Sequence, residues 1–186
     1  MKFVDFDVPG EPIPQGSMSA FAYRKKGWQK MRKPKLGVVM VHQNHEDIED
    51  YRERFQKVIS QYHDDFFTEN SDMAYIVECI FYITKPSSVK RVFPTVRGTG
   101  DVDKLLRAVL DALTYTEAKG RKKGNKFGLF KDDSQVIRVV GTKVYTDESV
   151  PRPKTRVRIT KLLLSNKEEE LKKFTSFVQE VFGEKL

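Results

Sequence analysis

Cysteine is nearly missing from this chain: Cys79 stands alone among 186 residues. An intrachain disulfide scaffold and a cysteine-based zinc site are therefore excluded. Histidine is scarce as well. His42, His45 and His63 follow no zinc-ligand spacing and read as surface or cap residues. No window approaches the ~18 consecutive apolar residues that cross a bilayer. The opening MKFVDFDVPGEPIP lacks the apolar stretch of a secretory leader. These absences point to a cytoplasmic protein with no membrane partner. Charge, by contrast, is plentiful and unbalanced: 34 Lys and Arg face 26 Asp and Glu, a net charge of +8. Thirteen Phe and seven Tyr argue against wholesale disorder. The length suits a single domain over 1–186.

The basic excess is concentrated. Between Phe21 and Gln43 there are seven Lys or Arg and no acid. Acids dominate from Asn44 to Asp72. From Lys85 to Lys126 eleven bases meet four acids, a local charge of +7. Two basic stretches flanking an acidic one suit a single positive face for a polyphosphate backbone, and equally a solvated surface of mixed sign. Trp28, between Lys26 and Lys30, suits either stacking on an unpaired base or covering a hairpin.

Periodicity predicts an α+β fold: a mixed or antiparallel sheet with packed helices. Phe3–Val8 reads as a strand, and Gln15–Tyr23 and Gly37–Val41 as the arms of a hairpin with Arg24–Lys35 at its tip. Glu46–Phe66 is apolar at helical spacing throughout, with Asn44 and Asp47 as a capping pair. Tyr75–Thr84 reads as a buried central strand, and Lys85–Gly100 as a loop. Val102–Leu113 reads as a helix with Leu105, Leu106, Val109 and Leu113 on one side. Thr114–Lys131 is a long basic loop. Gln135–Tyr145 and Thr155–Leu164 alternate as a pair of antiparallel strands. A C-terminal amphipathic helix is expected over about 166–183, with Asn166 and Glu169 as its capping box.

The informative segment is Gly100-Asp101-Val102-Asp103-Lys104-Leu105-Leu106-Arg107, running on to Asp111-Ala112-Leu113. Two acids two residues apart at a loop-to-helix junction can turn toward one point. A hard cation such as Mg²⁺ takes a few carboxylates and keeps other positions for water and phosphate. Asp132-Asp133-Ser134-Gln135 adds two acids just before a strand. Carboxylates inside a basic, nucleic-acid-binding region are costly unless a metal neutralises them. The structural alternatives are a helix cap at Asp101, a dipole partner at Asp103, ion pairs from Arg107 to Asp103 and Asp111, and an ordinary turn at Asp132–Ser134.

Taken together, Asp-x-Asp-x-Leu-Leu-x-x-x-x-Asp-Ala-Leu, then Asp-Asp-Ser-Gln-Val, then a Lys in the next strand resembles the RusA family of Holliday-junction resolvases found in phages and prophages. Pro9–Gly16 is similar to the family's Gly-x-Pro-x-x-x-Gln entry, and Thr155–Ile159 to its final strand. The resemblance implies a RusA-like fold and Asp101, Asp103 and Asp133 as Mg²⁺ ligands, with Mn²⁺ expected to substitute. Asp132 is a further candidate ligand. The family's catalytic Lys corresponds to Arg107, a departure that keeps charge but not proton transfer at neutral pH. The Asn usual after the second acid is Lys104, a second departure. The resemblance further implies branched DNA as partner, a homodimer that cuts a two-fold junction twice, and a role in DNA recombination or repair. Candidate DNA contacts are Lys90, Arg91, Arg97, Lys104, Lys119, Arg121, Lys122, Lys123, Lys126 and Lys143. A non-catalytic, basic nucleic-acid-binding accessory protein is the rival reading.

Overall fold

A computed structural model describes residues 2–16, 18–24, 36–42, 45–70, 73–118, 124–162, 172, 175 and 176. Of residues 18–24, 36–42, 45 and 97 only the backbone is described. Strand β1 (Lys2–Pro9) is followed by β2 (Met18–Arg24), β3 (Leu36–His42), helices α1 (His45–Ile59) and α2 (His63–Phe66), and β4 (Ala74–Ile83). Helix α3 (Val102–Leu113), β5 (Val136–Tyr145) and β6 (Lys154–Leu162) complete the fold. The main sheet has the order β1-β6-β4-β5, while β2 and β3 pair as a separate antiparallel ribbon. Strand β4 runs antiparallel to β6 and parallel to β5, so the sheet is mixed, and with its packed helices the fold is α+β.

One face of this sheet is buried. Along β4 burial strictly alternates, placing Tyr75, Val77, Cys79, Phe81 and Ile83 inward. Against them pack Tyr51, Phe55 and Ile59 of α1 and Leu105, Ala108, Val109, Ala112 and Leu113 of α3. The α3 positions fall at i, i+3, i+4, i+7 and i+8, one helical stripe. Leu106 lies at the stripe's margin and is only partly buried. Cys79 is buried mid-strand, and that burial pushes its thiol up to about 12. The opposite face of the sheet is more open, with Asp5 bridging Arg156 and Arg158 at 3.1 and 2.8 Å.

The packing of α3 on β5 fixes the site. A Cβ at Gly141 of β5 would lie 2.8 Å from Val102 Cγ1 and 3.0 Å from Leu106 Cδ1. Only glycine lets the first turns of α3 sit this close to the second half of β5. At the other end, Leu129 N–H donates to the Leu113 carbonyl, and Thr114 bridges to Phe130 just before β5 begins. Helix and strand therefore run in opposite directions.

Two sequence expectations are corrected. The helix over Glu46–Phe66 is two helices: α1 stops at Ile59, the Ser60 hydroxyl donates to the Lys57 carbonyl, and Tyr62 N–H turns back to Ile59. A serine competing for backbone groups ends the helix, although the apolar rhythm continues through Phe66. Strands β5 and β6 do not pair with one another; β4 lies between them. The hairpin tip with Trp28, the Asn44 cap, Lys119–Lys123 of the basic loop and almost all of the C-terminal helix lie outside the described residues. Among the described residues no helix is long and apolar enough to cross a membrane.

Candidate active site and nucleic-acid interface

Asp101 occupies the N-cap position of α3 with extended backbone (φ −84°, ψ 144°), yet its side chain makes no capping hydrogen bond. It reaches Lys104 instead, at 2.9 Å. That ammonium holds the Asp101 carboxyl below its usual range, and the charge of Lys143 adds to the effect. Asp101 is thus an exposed, fully ionised carboxylate at the positive end of a helix. Asp103 is exposed in the first helical turn. The preceding turn, Arg97–Thr99, is tied to β5 by Lys143, whose Nζ donates to the Gly100 carbonyl at 2.6 Å and to Thr99 Oγ1 at 3.3 Å. Lys143 therefore fixes the backbone that carries Asp101 and adds to the field that Lys104 sets there.

Asp132 and Asp133 are built differently. Asp132 caps a short 3₁₀ turn, its carboxylate accepting from Ser134 N–H at 2.8 Å; the Ser134 hydroxyl first, and this N–H with it, hold its carboxyl below the usual range. Gln135 is buried and locks the same turn: its Oε1 accepts from Lys131 and Asp132 N–H, and its Nε2 donates to the carbonyls of Asn70 and Met73. Asp133 remains exposed. It lines a cleft of about 340 Å³ with Arg52, Gln56, Asp111, Thr114, Thr116 and Asn125.

Helix α3 separates these two pairs. Asp101 and Asp103 lie at its N-terminal end, whereas Asp133 shares a cleft with Asp111 and Thr114 at its C-terminal end. The eight residues from Asp103 to Asp111 rise about 12 Å along the axis. Among the described residues no group of three or more His, Cys, Asp or Glu is placed to hold a metal ion. One chain thus brings Asp101 and Asp103 near each other and Asp132 and Asp133 near each other, but does not bring the pairs together.

Arg107 is exposed and makes no ion pair with Asp103 or Asp111 among the described residues. Asp111 is already engaged: Arg52 Nη2 donates to it at 2.6 Å and Gln15 Nε2 at 3.0 Å. Gln15 N–H also donates to the Lys104 carbonyl at 3.1 Å. This link between the N-terminal loop, α1 and α3 was not foreseen from the sequence, although Gln15 ends the entry motif quoted above. Asn125 is a second unforeseen anchor. It is buried, and its side-chain amide donates to the carbonyls of Ala112 and Thr114, pinning the far side of the basic loop to the end of α3.

Of the candidate DNA contacts, Lys90, Arg91 and Lys126 are exposed, and Lys104 and Lys143 flank Asp101. The Arg97 side chain, Lys119, Arg121, Lys122 and Lys123 lie outside the described residues. His63 is no free surface residue: its Nδ1 lies 2.8 Å from the Gly128 carbonyl and its ring stacks on Phe67.

A family model for the endodeoxyribonuclease RusA matches residues 9–160, which hold every one of these acids. The chain belongs to the RusA family. No curated protein matches it. Membership makes the chain a nuclease of the endodeoxyribonuclease class and gives it a family whose substrates are branched DNA junctions. The matched span begins at Pro9 and closes on β6, so it takes in both the Gln15–Asp111 link and the Gln135 turn.

Proposed function

We propose that this RusA-family chain is a Mg²⁺-dependent endonuclease that resolves four-way DNA junctions by paired, symmetric nicks. The observation that carries the reading is the exposed pair Asp101 and Asp103 at the start of α3, set between Lys104, Arg107 and Lys143. The donor set fits Mg²⁺, which is commonly held by one or two carboxylates with water and substrate phosphate at its remaining positions. When bound, Mg²⁺ supplies Lewis acidity and a water of lowered pKa. The chain's own residues do the rest. Lys143 holds the Thr99–Gly100 backbone that carries Asp101 in place. Arg107, one turn past Asp103 and unpaired among the described residues, offsets charge that develops on the phosphate. Lys90, Arg91 and Lys126 contact flanking phosphates.

The split of the acids along α3 supports a homodimer. Ile137 and Val139 on edge strand β5 are 48% and 41% exposed, an unusual apolar surface for a sheet edge. They lie between the Asp133 end of β5 and its Lys143 end. A two-fold axis perpendicular to β5 at this patch would reverse α3 and β5 in the partner. That arrangement would set the Asp101 and Asp103 of one copy toward the Asp133 of the other, so that each complete set of acids would draw on both chains.

The test is a synthetic four-way junction with labelled strands. In Mg²⁺ the protein is expected to produce nicks at two symmetric positions, and in EDTA none while the junction stays bound. Equal binding with no cutting in Mg²⁺ or Mn²⁺ would favour the accessory-protein reading.

A further inference from the structure

The loop before Asp101 carries a feature the nuclease chemistry leaves unused. Val92 is 75% exposed and Phe93 is 67% exposed, the two most exposed large apolar side chains among the described residues. Single exposed apolar residues are ordinary; two adjacent ones on a held loop are less so. The loop is anchored on both sides. Val89 packs against the core, and Val89 N–H donates to the Pro86 carbonyl. Pro94 is buried, Thr95 N–H donates to the Phe93 carbonyl, and the Thr99 hydroxyl lies 2.8 Å from the carbonyls of both Pro94 and Val96. Thr99 is the same residue that Lys143 ties to the backbone of Gly100. The apolar tip and the Asp101 junction are therefore parts of one braced unit.

Lys90 and Arg91 are exposed immediately before the tip. A rigid apolar pair flanked by cations and joined to a nuclease's acids is chemically matched to a base step entered from a phosphate-lined edge. Apolar side chains wedge between bases by unstacking them, and aromatic rings stack on bases without regard to sequence. In continuous duplex the unstacking opposes entry. At a branch point the stack is already interrupted, so entry meets less resistance.

We propose that Phe93, with Val92 beside it, is a wedge that enters the interrupted base stack at the branch point and so selects branched DNA over duplex. This rests on the junction-cutting reading and adds the residues that would give it structural selectivity. The test uses a four-way junction with 2-aminopurine beside the branch point, in Ca²⁺ to hold the complex uncut, together with a matching duplex. Wild-type protein should raise 2-aminopurine fluorescence. Phe93→Ala should abolish the rise and lower junction affinity by about tenfold, the scale of one base–aromatic stack. Duplex affinity and thermal unfolding should stay unchanged, and Phe93→Tyr should restore the signal. A Phe93→Ala protein that still raises the fluorescence would overturn the proposal. So would one that sediments as a monomer where wild type is a dimer, because the pair would then belong to an interface between copies. Wild-type protein that binds junction no better than duplex would overturn the junction reading as well, and that is measured before any variant.

Discussion

Asp103→Asn is expected to lower single-turnover junction cutting by about 10²–10³-fold, the scale of losing one preorganised electrostatic group. Folding should be nearly untouched, because Asp103 is exposed and caps nothing in the structure; exposed substitutions usually stay within about 0.5 kcal/mol. Junction affinity should hold or rise, since the change removes a negative charge from beside phosphate in a region of net positive charge. Parallel cleavage and gel-shift titrations separate the two effects. A folded variant that cuts normally would take Asp103 out of the mechanism, and one that fails to bind would give it a binding role instead.

Gly100→Ala is expected to act on both stability and chemistry. Gly100 has φ 73° and ψ 160°, a region essentially closed to other residues. An added Cβ would also lie 2.9 Å from Cβ and Cγ of Pro14. Pro14 precedes Gln15, whose backbone and side chain tie the N-terminal loop to Lys104 and Asp111. The backbone strain should cost about 1–3 kcal/mol, read as a lower midpoint of thermal unfolding. The same shift moves Asp101, the next residue, and a displacement of about 1 Å at a reacting centre lowers the rate by about 10²-fold. Wild-type stability together with wild-type cutting would show that the junction tolerates the side chain and that its shape is not needed.

Much of this was legible in the sequence where a single element carries its own signal. Helix α3 has the bounds its apolar spacing gives, Val102 to Leu113, because one stripe faces the core and a glycine-rich turn precedes it. Strand β4 is similarly plain from its β-branched and aromatic run. Partnership was less visible. Alternation marks β5 and β6 as strands but says nothing of β4 lying between them. Gln15 and Asp111 meet across 96 positions, and no periodicity announces a glutamine that binds a carboxylate. The acids were legible as residues but not as an arrangement. Asp103 and Asp133 belong to separate motifs, and only the antiparallel packing of α3 on β5, permitted by Gly141, shows that they lie at opposite ends of the helix. Arg107 as a surface ion-pair partner of Asp111 fails for a similar reason: Arg52, distant in sequence, takes that carboxylate.

The central claim, a junction nuclease whose acids are completed across two chains, meets its most direct test in mixed dimers. Asp103→Asn and Asp133→Asn chains, each inactive alone, are unfolded and refolded together and assayed on the labelled four-way junction in Mg²⁺. In a mixed dimer with shared sites, one site collects both substitutions and the other collects none. The account predicts that mixing restores nicking, at one site per dimer, so that single nicks appear without paired resolution. No recovery on mixing, with mixed dimers demonstrated by differential tags, would contradict it.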